Sequence, residues 1–128
     1  MEKKEYKKIS IKKLRNSFKY AIQGIKSSLK TEQNLKVHFI IVIITIIAGI
    51  ILKLSCMEWI ICLMLFGFVI TLELLNTAIE VTVDIAMPEK NEQAKLAKDI
   101  AAGAVLVSAI TSMIVGLIIF IPKIVNLF

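Results

Sequence analysis

Hydrophobic positions along the chain fall into four blocks with different rhythms. From about residue 9 to 30, Ile11, Leu14, Phe18, Ile22, Ile25 and Leu29 recur at intervals of 3, 4, 4, 3 and 4, the period of one helix face. Lys12, Lys13, Arg15, Lys19, Lys26 and Lys30 fall largely off that stripe, as in a helix lying in the plane of a membrane surface. The second block, about 35–54, is almost wholly apolar from Val37 to Leu52. That run is slightly short of the roughly 20 residues a span needs, and the flanking Asn34–Lys36 and Lys53–Leu54 complete it, with the lysines reaching outward to water.

A polar break, Lys53 to Glu58, separates this block from a third, about 59–83, which opens on Trp59, a side chain suited to the membrane interface. The longest internal polar stretch, Ile85–Lys98 with Pro88 in it, precedes the fourth block, about 100–121, which ends before Pro122. The expected architecture is an all-α integral membrane protein: three transmembrane helices plus an N-terminal amphipathic interfacial helix, in one domain over 1–128.

Composition and charge sharpen this reading. Hydrophobic residues make up 57% of the chain, above the roughly 45–50% of soluble domains. The net charge of +6 is unevenly placed, with eleven of the sixteen Lys and Arg residues inside 1–36 against three acids, Glu2, Glu5 and Glu32. Basic residues beside a first span mark a cytoplasmic flank and are drawn to anionic headgroups. With no nucleic-acid fold signature present, the charge points to the membrane surface and excludes nucleic acid as a partner. Three spans with the N-terminus inside put the 84–99 loop inside and the C-terminus outside. Cys56 and Cys62 lack zinc-ligand spacing, and no cleavable signal peptide is expected ahead of the basic helix.

The third block carries the chemistry. Glu73, Asn76, Glu80 and Asp84 project at about 0°, −60°, −20° and +20° at ~100° per residue, with Thr77 at about +40°. They form one polar stripe among apolar faces. If the span starts at Trp59, Glu73 lies roughly 9 Å inside the inner boundary, where a charge is expensive. A packing role would account for one intramembrane glutamate. Two carboxylates and an amide on one face, with a third acid at its end, point to a functional site, and Glu73 is suited to act as a general base. Oxygen donors without a His or Cys cluster favour Mg²⁺. Across the loop, Lys95, Lys98 and Asp99 share one side of the next helix, followed by the small residues Ala101–Ala104, which permit close helix contact. Acids for a metal facing lysines for phosphate are the parts of a phosphoryl-transfer site; there is no P-loop.

Together, ELLNTAIEVTVD (Glu73–Asp84) and AKLAKDIAAGAVL (Ala94–Leu106) resemble the prokaryotic diacylglycerol kinase family, with the match closer to its undecaprenol kinase branch. The resemblance implies a homotrimer in the cytoplasmic membrane of a bacterium, with active sites between subunits at the cytoplasmic face and ATP as co-substrate. It makes Glu73 the catalytic base toward the lipid hydroxyl, with Glu73 and Ala102 touching the lipid. Glu80 and Glu32 would hold Mg²⁺ and, through it, ATP, while Asn76, Lys98 and Asp99 would contact the nucleotide phosphates or order those ligands. Lys13 and Tyr20 stand where the family binds nucleotide, although Lys13 replaces a family arginine, which removes a bidentate contact. Asn91-Glu92-Gln93 stands where relatives read like His-Pro-Leu, so a histidine contact there is not carried over. The one histidine, His38, is expected to pack at the start of a span.

The leading expectation is a kinase moving the γ-phosphoryl group of ATP to undecaprenol, with diacylglycerol as the alternative acceptor. A small proton-coupled transporter is the rival from another class, with an intramembrane carboxylate as its coupling site. It would need a polar path across the membrane, and Trp59–Val69 offers none. A non-catalytic scaffold leaves the acid stripe unexplained.

Overall fold

The computed structural model describes residues 8–128, so Lys3, Lys4 and Lys7 of the basic stretch lie outside the described residues. Four helices follow one another: α1 (Ile11–Thr31), α2 (Gln33–Ile51), α3 (Cys56–Ala86) and α4 (Glu92–Val125), with no strand among the described residues. The last three are long and apolar enough to cross a membrane, in agreement with the predicted class.

Ser10 caps α1, its side chain accepting the Lys13 backbone N–H at 3.4 Å. No α1 residue is buried, and Ile11 and Phe18 of its apolar stripe stay exposed. The exposed part of such a face suits a headgroup boundary. A single residue, Glu32, separates α1 from α2. Its extended backbone (φ −99°, ψ 113°) ends one helix and caps the next, so the chain turns from the surface into the membrane at one acidic residue.

The α2–α3 turn is set by backbone chemistry. Lys53 takes the left-handed conformation (φ 54°), while Leu54 N–H reaches the Gly49 carbonyl and Lys53 N–H reaches that of Ile50. This is the Schellman closure, normally made by glycine at the left-handed position. Ser55 and Glu58 then form a capping box that starts α3, each satisfying an N–H that the first helical turn leaves free. Gly49 allows α2 to approach α3: a Cβ there would stand 2.8 Å from Cη2 of Trp59.

The expected 85–98 loop is shorter than its polarity suggested. α3 continues to Ala86 and α4 begins at Glu92, because Asn91 caps α4 by accepting the N–H groups of Gln93 and Ala94 at 2.9 and 3.1 Å. Pro88 lies in the five residues that remain. At the far end, α4 runs through Pro122 to Val125. Proline removes one donor near the helix end, and its carbonyl still accepts from Asn126 at 3.0 Å.

The principal packing is α3 against α4, with α2 leaning on α3 and α1 reaching both α2 and α3. α3 is the best-covered span, with 28% of its most apolar window buried against 11% for α2. Its inward-facing residues are Cys62, Phe66, Val69, Glu73, Asn76, Glu80 and Val83, a 4-3-4-3-4-3 seam of coiled-coil type. Ala101, Val105 and Ser108 of α4 are buried, and their small volume permits the close approach. Away from α1, Leu54, Cys62 and Ile119 pack with Trp59 and Phe66, and Lys123 pairs with Glu58 at 3.0 Å.

Candidate active site

The polar stripe is the continuation of the apolar seam of α3. Because the spacing is unbroken, Glu73, Asn76 and Thr77 occupy positions that Val69 and Cys62 fill with apolar atoms lower down. All three are buried, Glu73 to 2% exposure, and so face protein instead of acyl chains. Thr77 returns its hydroxyl to the Glu73 carbonyl at 3.0 Å, which satisfies the hydroxyl within the helix. Glu80 is half-buried one turn further along, and the Asn76 amide nitrogen donates to its carboxylate at 3.4 Å. The Asn76 oxygen is buried without a partner. Glu80 and Asn76 thus share a polar contact in the turns beyond Glu73. Glu32 stands at the α1–α2 break, about two turns before His38 on the span that faces Glu73.

Glu73 meets a group that the sequence reading assigned only to packing. Nε2 of His38 on α2 lies 3.3 Å from Oε1 of Glu73. A signal for it was present: His38 follows the Glu32 break by six residues, roughly 9 Å of helix at 1.5 Å per residue, the depth expected of Glu73. Equal depth on neighbouring spans is what lets them touch.

On the opposite side of the stripe, Lys98 crosses from α4 to Asp84 of α3 at 2.7 Å. Lys98 precedes the apolar stretch of α4, and its ammonium is held above the ordinary lysine range, first by this hydrogen bond. Lys95 and Asp99 pair with each other at 2.6 Å on the exposed face. A cleft of about 540 Å³ at the α3–α4 turn is lined by Asp84, Lys95, Lys98 and Asp99 among others. Of the small residues after Asp99, only Ala101 enters the seam; Ala102 is exposed on another face of α4. Lys13 and Tyr20 are exposed on α1. They precede Glu32 by 19 and 12 residues, roughly 28 and 18 Å along the helix, so neither reaches Glu32 within the chain.

Among the described residues, no three His, Cys, Asp or Glu side chains converge to hold a metal by themselves. The oxygen donors nevertheless fit Mg²⁺. That ion is usually held by one or two carboxylates together with substrate phosphates, and the Glu80 carboxylate with the orphaned Asn76 oxygen beside it supplies such a partial set.

Comparison with known proteins decides the class. A family model described as prokaryotic diacylglycerol kinase matches residues 19–120. The chain belongs to this family. It is 47% identical over 107 residues to the undecaprenol kinase of Bacillus subtilis, covering 84% of this chain and 87% of that protein. It is 38% identical over 112 residues to a diacylglycerol kinase of Synechocystis, covering 87% of this chain and 64% of the relative. Identity to a diacylglycerol kinase of Haemophilus influenzae is 33% over 116 residues, 90% and 98% of the two chains. Family membership makes the chain a membrane-embedded lipid kinase with ATP as co-substrate, and decides against the transporter and the scaffold.

Proposed function

We propose that this kinase phosphorylates undecaprenol, giving undecaprenyl phosphate, at the cytoplasmic face of the cell membrane. The observation that carries the reaction is the buried carboxylate Glu73 at the head of an acid-rich seam; the acceptor rests on the 47% identity to an undecaprenol kinase across most of both chains. The matches to two diacylglycerol kinases favour diacylglycerol as the second reading.

Glu73 takes the proton of the lipid hydroxyl as that oxygen bonds to the γ-phosphorus. The bond from phosphorus to the β-phosphate oxygen breaks, and its electron pair leaves with ADP. Burial fixes Glu73 in place, so little reorganisation accompanies the transfer. Glu80 and Glu32 would hold Mg²⁺, with Asn76 orienting Glu80 through its amide. When bound, the ion neutralises charge on the transferring phosphoryl group. Lys98 and Asp99, beside the cleft, would contact the triphosphate or order its ligands. Lys13 and Tyr20 would bind the nucleotide, and Ala102 would touch the lipid. The separation of Lys13 and Tyr20 from Glu32 along α1 supports a homotrimer in which neighbouring chains complete each site. The basic α1 and its flank support a cytoplasmic site under the positive-inside rule.

The test is phosphoryl transfer by purified protein with Mg-ATP and labelled γ-phosphate, offering undecaprenol and diacylglycerol in competition. Undecaprenol should take most of the label, and Glu73→Gln should abolish transfer while the protein stays folded. Equal or greater labelling of diacylglycerol would reverse the substrate choice. Retained activity in Glu73→Gln would remove it as the base.

A further inference from the structure

We propose that His38 is a positioning residue for the phosphoryl transfer: its Nε2–H holds one oxygen of Glu73, leaving the other oxygen free for the lipid hydroxyl. This rests on the reading of Glu73 as the base.

The geometry that points to it is local. Glu73 is buried on α3, and the titratable groups around it are His38, Glu32 and Glu80. Two of those are carboxylates, which cannot donate to it when ionised. His38, on the neighbouring span, is the remaining group with a donor, and its Nε2 is 3.3 Å from Oε1 of Glu73. The hydroxyl of Thr77 donates to the Glu73 backbone carbonyl and leaves the carboxylate untouched. Contacts between catalytic groups are often long without substrate and tighten in the reactive complex.

The consequence follows from carboxylate chemistry. A buried carboxylate has two oxygens and a rotatable side chain, and only one oxygen can receive the lipid proton. A donor on α2, 3.3 Å from Oε1 and closing to a hydrogen bond in the reactive complex, would set the rotation of the group. When the lipid proton moves to Glu73, it arrives on the free oxygen, and the imidazole keeps its own proton throughout. No proton is gained or lost by His38 during transfer. His38 also lines a cavity of about 380 Å³ between α2, α3 and α4. The ring therefore has open space on one side.

The test compares His38→Gln, His38→Leu and His38→Asn in the full chain, reading kcat, the KM for ATP, the KM for lipid and the unfolding temperature in detergent. Glutamine can carry its amide nitrogen to the place of Nε2. Leucine fills volume without a donor, and asparagine is polar but too short. His38→Leu and His38→Asn should lose kcat by up to about 100-fold, the cost of a misplaced reacting group, with both KM values unchanged. His38→Gln should recover most of kcat. Wild-type kcat in His38→Leu overturns the proposal, and so does a His38→Gln as slow as His38→Asn. If His38→Leu does not fold, the Gln and Asn pair decides by the same comparison. Glu73→Gln separates the two readings: its full activity removes the base itself, whereas an inactive Glu73→Gln beside unaffected His38 variants leaves the base and removes only His38.

Discussion

Lys98 is placed to bridge two roles, and its replacement separates them. In the structure it joins α4 to α3 through Asp84 at 2.7 Å, with the Lys98 side chain 35% and the Asp84 side chain 63% exposed. A pair this open to water contributes ~0–1 kcal/mol to stability. Lys98→Met should therefore lower stability by no more than about 1 kcal/mol. Contact with a phosphate is another matter, since a hydrogen bond to a charged group is worth ~1.5–3 kcal/mol. At ~1.36 kcal/mol per tenfold change, losing it costs roughly 10- to 150-fold in kcat/KM for ATP.

Asp84→Asn is the control. It breaks the same ion pair but leaves the ammonium free, and an ordinary lysine stays charged at neutral pH. Asp84→Asn should keep kcat/KM or improve it, through a lower KM for ATP. The assay is initial-rate kinetics over a range of ATP with saturating lipid, beside thermal unfolding in detergent. The reasoning is refuted if Lys98→Met and Asp84→Asn lose activity equally, because the ion pair alone would then matter. It is also refuted if Lys98→Met leaves the ATP dependence unchanged.

Other expectations concern the scaffold and its orientation. Gly49→Ala sets a Cβ 2.8 and 3.0 Å from two ring carbons of Trp59 and should destabilise the protein by ~1–3 kcal/mol; unchanged unfolding in detergent would contradict the close approach of α2 to α3. Lys53→Gly relieves a left-handed non-glycine residue and should raise stability by about 1 kcal/mol, visible as a higher unfolding temperature with activity retained. In a Cys62→Ala background, the exposed Cys56 at the α2–α3 turn should react with a membrane-impermeant maleimide added to intact cells. Labelling only in inverted vesicles would reverse the proposed orientation.

Much of this protein was legible from its residue order. The three spans, the surface helix and the acid stripe each depend on periodicity within one segment, and a helix turns its residues by nearly the same angle whatever surrounds it. Glu73, Asn76 and Glu80 therefore had to share a face before any neighbour was known. Helix ends were less legible. The cap by Asn91 and the tolerance of Pro122 in the last turns of α4 are single-bond effects that polarity averages do not register.

Periodicity could not decide which partner each side chain would meet. Lys95 and Lys98 read alike in sequence, yet one pairs within α4 and the other crosses to Asp84. Gly49 reads as a small residue in an apolar run until Trp59 is seen against it. His38 reads as a packing residue until α2 and α3 are side by side and its ring stands at the depth of Glu73. The residue order settles which face of each helix is polar, because that follows from rotation along one axis. The relative height and tilt of the helices settle which faces meet, and those are set by the summed packing of the whole bundle.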